Sequence, residues 1–413
     1  MIVLLTASAL LLAWRTRLFN DFFSTIPFFG SVAELMRGSS GASEPGSATI
    51  KEAARPLCIV ITNEEGRCGV RYDTDARNAA YDRTSSILSE ALGSVSAPAE
   101  VSEEEWRAAL SGPGVYFSYI TPVKLSVLDG WLGARMPDFS DDPSLRRICV
   151  AFGEDRSRIY FQDFESGLYY GADTASSAGK AQELGIFSAN GALFAFETDI
   201  TGAENAPYLV LMQGSDHPDI HAGAAGNTED LLNLTLTALG HSNETYRVLP
   251  DGTDAIRCIG TQFNIRLDLH GRTLYRRTDV QQVTGDTQTQ SESELIERAR
   301  LIIADTIVRA CGDAEVFFES IVFGARDYCS VYFGYYIAGG RVILYEDENA
   351  ARVTFMSGVV TEVELCFRHF SFSEAYTALL PEIQTLAAAG GEFMLCYSDA
   401  GAETIQPAWI RKS

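Results

Sequence analysis

The second half of this chain reads as one unit used twice, and no other feature restricts its fold as much: a capped amphipathic helix that runs into a meander of strands. In the first copy Asn227 is placed to cap a helix carrying Leu231, Leu232, Leu234, Leu236 and Leu239, and Gly240 ends it. Strands are expected at 245–249, 255–259 and 262–269. In the last of these Phe263, Ile265, Leu267 and Leu269 alternate with Gln262, Asn264, Arg266 and Asp268, before a turn at His270-Gly271 into 272–277. In the second copy Ser291 and Glu294 have capping-box spacing, and Leu295, Ile302, Ile303, Thr306 and Ala310 line one face up to Gly312. Strands are expected at 315–323, 330–337, 341–345, 351–355 and 359–370, followed by a helix over 373–389 and strands at 392–397 and 404–410. A helix with one apolar stripe must bury it against such a sheet, so the class is α+β with antiparallel sheets.

The first half adds a separate mixed α/β pattern. Strands at 58–62 and 67–72 flank Asn63-Glu64-Glu65-Gly66, a short hairpin turn. Helices are expected over 77–92, stopped by Gly93, and after Ser102, whose S-x-x-E spacing with Glu105 precedes Trp106, Ala109 and Leu110. A strand at 115–120, a helix with Leu125, Leu128 and Leu132 around Trp131, and strands at 148–152, 158–163 and 168–172 follow. The expected organisation is a membrane anchor and juxtamembrane segment over 1–23, a flexible linker over 24–55, and a first domain over 56–205. A middle helix-plus-sheet module over 206–285 and a last one over 286–413, set in tandem, complete it.

The anchor is read from Ile2 to Trp14 (IVLLTASALLLAW), thirteen uncharged positions in which Ile2, Val3, Leu4, Leu5, Leu10, Leu11 and Leu12 supply the apolar bulk. A full span takes about 20 residues, so the run is short, and a cleaved leader or a buried helix would have the same length. No small-x-small cleavage site follows, and Trp14 stands where an interfacial aromatic would, which favours an anchor. Arg15 and Arg17 lie on the unexpected flank, so the natural start is expected upstream of Met1. Residues 37–47 (RGSSGASEPGS) read as a spacer.

With 55 acidic against 32 basic side chains and a net charge of -23, the surface repels polyanions, which argues against nucleic-acid binding. The sequence carries no phosphate-cradling G-x-x-x-x-G-K-[ST], no H-E-x-x-H and no G-x-S-x-G. The best remaining metal candidate is His217 with His221, four apart, but Pro218 and three nearby glycines make the stretch read as a polar loop. Glu362 and Glu364 share a strand face and read as a solvated pair. Asp73-Thr74-Asp75 and Asp251-Gly252-Thr253-Asp254 read as turn chemistry rather than calcium loops. Cys58, Cys68, Cys149, Cys258, Cys311, Cys329, Cys366 and Cys396 show no C-x-x-C and sit among apolar neighbours, as buried single thiols do. Tyr328, Tyr332 and Tyr336 share one strand face, either a ligand surface or core beneath the 291–311 helix, with core favoured.

Several stretches in order resemble the YycH/YycI family, extracytoplasmic regulators of a two-component sensor histidine kinase in Gram-positive bacteria. They are Val115 to Gly133 (VYFSYITPVKLSVLDGWLG), the 351–370 hairpin, Ala375-Tyr376 with Leu379-Leu380-Pro381 and Gln384, and Pro407-Ala408-Trp409. The resemblance implies an N-terminal membrane anchor followed by mixed α/β domains, the C-terminal ones PepSY/cystatin-like modules. It implies no catalytic residue and no cofactor. It also implies a single-pass protein of the cell membrane with its body outside, whose partners are a sensor histidine kinase and a sister regulator. The alternatives are an exported peptide- or glycan-binding envelope module and a metal-dependent hydrolase using His217 and His221.

Overall fold

The computed structural model describes residues 52–134, 142–153, 156–175, 180–279, 290–325, 327–345 and 349–412. The expected anchor, with Ile2 to Trp14, and the 37–47 spacer lie outside the described residues. Among the described residues no helix is long and apolar enough to cross a membrane.

The first sheet grows from the hairpin of β1 (Cys58–Asn63) and β2 (Gly66–Val70), where Ile61 faces Cys68 across a two-residue turn. Asp73, read from sequence as part of a turn, instead caps α1 (Thr74–Gly93), its carboxylate accepting from the Ala76 amide at 2.9 Å. Then come β3 (Ala99–Val101), α2 (Glu103–Ser111), β4 (Gly114–Lys124), α3 (Leu125–Leu132), β5 (Ser144–Phe152), β6 (Ser157–Asp163) and β7 (Tyr169–Thr174). Ser102 caps α2 as expected, but Glu105 turns away from the box to accept from Arg158 at 2.6 Å. The order is β2-β1-β4-β5-β6-β7-β3, antiparallel throughout.

Strand alternation gives this sheet two apolar faces. Ile59, Ile61, Val115, Phe117, Ile148 and Val150 form one, and α1 packs on β1, β5 and β6. Val60, Tyr116, Cys149 and Tyr160 form the other, covered by Trp106 and Leu110 of α2 and by Phe194, Tyr208 and Val210. The latter belong to a segment pinned by the short ladder of β8 (Leu193–Phe194) and β9 (Val210–Leu211). The back of that segment, with Ala195, Leu209 and Leu211, packs on Leu386 and Phe393 from the C-terminal region.

Next are β10 (Asp216–Ala224) and α4 (Thr228–Ala238), with Asn227 capping through the Asp230 amide, then β11 (Arg247–Pro250), β12 (Ala255–Ile259), β13 (Phe263–Asp268) and β14 (Arg272–Arg277). After them come α5 (Glu292–Ala304), opened by the complete Ser291/Glu294 capping box, β15 (Glu315–Phe323), β16 (Tyr328–Ile337), β17 (Gly340–Leu344), β18 (Ala351–Met356) and β19 (Val359–Cys366). The chain closes with β20 (Arg368–Ala378), α6 (Glu382–Ala389), β21 (Phe393–Asp399), β22 (Thr404–Ile405) and β23 (Pro407–Arg411).

One large sheet takes the order β11-β12-β13-β14-β19-β18-β16-β17-β21-β23, with β15 on the far edge of β16. The strands after both expected helix units therefore join through the β14·β19 pair. The helix expected over 373–389 is corrected: residues up to Ala378 continue as β20, which pairs with β10, and the helix begins only after Pro381. Ladder bonds to a neighbouring strand outweigh the weak helical preference of Ser373 to Ala378.

Candidate functional site

His217 and His221 lie not on a loop but on β10, with Pro218 accommodated because the register against β20 shifts between Pro218 and Ile220. Proline cannot donate to the ladder, and a bulge removes that need. The extra residues of the bulge, Ser373 to Ala375, are on β20; Asp219 opposite them is buried and accepts from Thr377 at 2.6 Å and Gln406 at 3.3 Å. Four residues along a strand separate the Cα atoms of the two histidines by roughly 13 Å, too far for a shared ligand. His221 is exposed beside Thr404 at 3.2 Å. His217 is buried, its ring 4.8 Å from that of Tyr72 and 5.3 Å from that of Trp409, both edge-on, and neither ring nitrogen has a partner. Burial and the Arg71 charge push its pKa down to about 4.

Around His217 the first sheet meets the C-terminal region. Tyr72, just past β2, donates to the Glu382 carboxylate, whose other oxygen accepts the Met212 amide at 2.5 Å. Glu382 is buried at the start of α6, and burial raises its pKa while Arg71 opposes the rise. One carboxyl thus ties the hairpin, the segment after β9 and α6 together. The β16–β17 turn closes on the same spot. Ala338 and Gly339 both have positive φ, 48° and 69°, as a two-residue turn of this hand requires. A Cβ on Gly339 would stand 2.6 Å from the Arg71 carbonyl oxygen.

Beside this junction a cleft of about 420 Å³ opens between β1, β4, β5 and Arg71 on one side and β15, β17, β21 and Lys412 on the other. Its charged lining is Arg71, Arg146, Arg147, Arg341 and Lys412 against Glu319 and Glu392. Both carboxylates are engaged. Glu319 accepts twice from Arg341, at 2.7 and 2.8 Å, and from the Tyr336 hydroxyl at 2.9 Å. Glu392 takes both terminal nitrogens of Arg146, and Lys412 stands 3.8 Å away. Burial would raise the Glu392 carboxyl, but Arg146, Lys412 and Arg147 outweigh it and hold the pKa at about 2. Burial, with the Arg146 charge, brings the Lys412 ammonium down to about 8. Arg147 donates to Gln162 at 3.2 Å and lies 5.4 Å over the Tyr208 ring. None of these side chains stood out in the sequence. The Arg146-Arg147 doublet in an acidic chain was the one available signal, because the rest come together only through tertiary folding.

The other sequence candidates fall elsewhere. Arg298 of α5 lies 5.3 Å over Phe355, the register partner of Cys329, so α5 covers the face of β16 opposite Tyr328, Tyr332 and Tyr336. Tyr336 is buried against Phe317, whereas Tyr328 is 39% exposed, so the three form neither one ligand face nor one core layer. Glu362 and Glu364 are not a bare solvated pair: Arg352 bridges both, and Arg276 reaches Glu362 at 2.7 Å. All eight cysteines are buried, and none is in a disulfide. Among the described residues no three His, Cys, Asp or Glu side chains are grouped to hold a metal ion.

No family model matches the chain, and no curated protein matches it. A solved structure does: that of YycH from Bacillus subtilis, with a TM-score of 0.56 over 87% of this chain and 94% of that one, at 12% sequence identity. Mixed sheets and helices in the same arrangement, over nearly the whole length of both chains, give the protein a YycH-like fold.

Proposed function

We propose that the protein is a non-enzymatic, membrane-anchored, extracytoplasmic regulator of a two-component system, acting by contact with a sensor histidine kinase and paired with a sister regulator. The observation that carries this reading is the fold likeness to YycH across almost the full length of both chains, together with the ordered sequence resemblances to the same family. The apolar Ile2–Trp14 run supports a single-pass anchor with the body outside the membrane. Control by contact needs a difference in affinity between the active and inactive kinase, since equal binding shifts nothing.

The same reading divides the body at 56–205, 206–285 and 286–413, the last two as PepSY/cystatin-like helix-plus-sheet modules. The packing of α4 on β13 and of α5 on β16 and β18 supports it. Crosslinking in intact cells with the full chain, followed by identification of the captured partners, tests the function. A sensor kinase is the expected product, and its reproducible absence counts against the proposal.

A further inference from the structure

The cleft beside Arg71 has a charge balance opposite to that of the protein. The chain carries -23, yet five cations and two carboxylates line this recess, and both carboxylates are committed to Arg341 and Arg146. Glu392 is shared between Arg146 and Lys412, 3.8 Å away, and Arg71 and Arg147 have no carboxylate partner. Arg71 is the most telling. It is 7% exposed, its Nε has no partner, and it makes no ion pair; its contact is with the Tyr72 ring, 5.1 Å away. Glu382 acts on it electrostatically from beyond ion-pair distance. A guanidinium held out of water with no carboxylate in contact is costly, and a fold keeps one most readily where an anion completes it.

The walls also define the ligand's other half. Tyr119, Phe164, Tyr208 and Phe393 line the recess, and a volume of about 420 Å³ is the size of a small organic molecule rather than a bare ion.

We propose that this cleft binds a small organic molecule bearing an oxyanion group of two or more negative charges, with Arg71 as the primary anion contact and Arg147 and Lys412 flanking it. The aromatic wall takes the ligand's apolar part. Planar guanidinium donors suit phosphate and carboxylate oxygens alike, so the shared chemistry is the oxyanion. The site lies where the first sheet meets β17 and β21, so occupancy would tighten that junction. This inference does not rest on the kinase reading: it can stand or fall with the purified protein alone.

Calorimetric titration and thermal melting of the full chain at low salt, with phenyl phosphate, inorganic pyrophosphate and citrate as separate probes, test it. The expected result is saturable binding at millimolar concentration or tighter, a melting temperature raised by about 2–4 °C, and preference for phenyl phosphate over inorganic pyrophosphate. The phosphate and citrate arms distinguish phosphoryl from carboxylate ligands. Arg71→Met, which keeps the stem and loses no ion pair, should weaken binding at least about tenfold without lowering the unliganded melting temperature. Should that variant not fold, Arg147→Gln and Lys412→Gln at the rim should each weaken binding severalfold. No binding by any probe, or equal binding by wild type and these variants, overturns the assignment.

Discussion

His217 shows what a buried titratable side chain does when nothing accepts its protons. Its ring sits between Tyr72 and Trp409 and near the Arg71 charge, so the folded protein keeps it neutral down to about pH 4. The unfolded chain protonates it near pH 6.5 and therefore binds more protons between those values, so stability falls as pH drops from 6.5 to 4. The shift corresponds to about 3 kcal/mol. His217→Phe, which keeps the edge-on ring packing and sacrifices no hydrogen bond, is expected to remove that part of the acid loss and leave stability at neutral pH equal or higher, as read by urea unfolding at several pH values. Arg77 is the opposite case, a fully buried guanidinium with a partner, Glu315. Glu315→Ala leaves it uncompensated and should cost about 3–5 kcal/mol, whereas replacing both residues by apolar ones should recover much of the loss. Neither residue was legible in the sequence as a buried polar group. Partners 238 positions apart have no local pattern to announce them.

Elements with a local signal were read well. Asn227, Ser102 and Ser291 start the helices expected of them, and strands 315–323 and 272–277 appear at the expected bounds, because caps and alternation are short-range chemistry. The errors concern segments whose conformation is set by a distant partner. Ser215 to His221 looked like a loop because proline and glycine punctuate it, yet β20 supplies a ladder and bulges next to the proline. Ser373 to Ala378 looked helical for want of that same pairing. The turn Ala338-Gly339 belongs to this scale too. At Gly339 the positive φ and the closeness of the Arg71 carbonyl leave no room for a side chain. Gly339→Val should therefore destabilise the protein by about 2 kcal/mol or more and disturb the junction beside Arg71, whereas the same change at Gly401, whose Cβ would meet nothing, should carry only the backbone cost.

At the scale of the molecule, the fold class was legible and the way its parts combine was not. Sequence periodicity marks helices and strands, but the merger of both helix-plus-strand units into one sheet through β14 and β19 depends on edges meeting in space. The basic cleft is the clearest case: its cations come from the residue that follows β2, from β5 and β17 and from Lys412 after β23, and only the folded chain makes a site of them. A regulator with such a recess would have two inputs, contact at the membrane and an anion in its body, linked if occupancy changes the affinity for one kinase state. The most direct test of the central claim is kinase autophosphorylation in proteoliposomes holding the kinase captured by crosslinking, measured with and without the full chain. The account expects the rate to shift when the chain is present and to stay shifted in the His217→Phe variant. An unchanged rate at saturating amounts of the protein would contradict it.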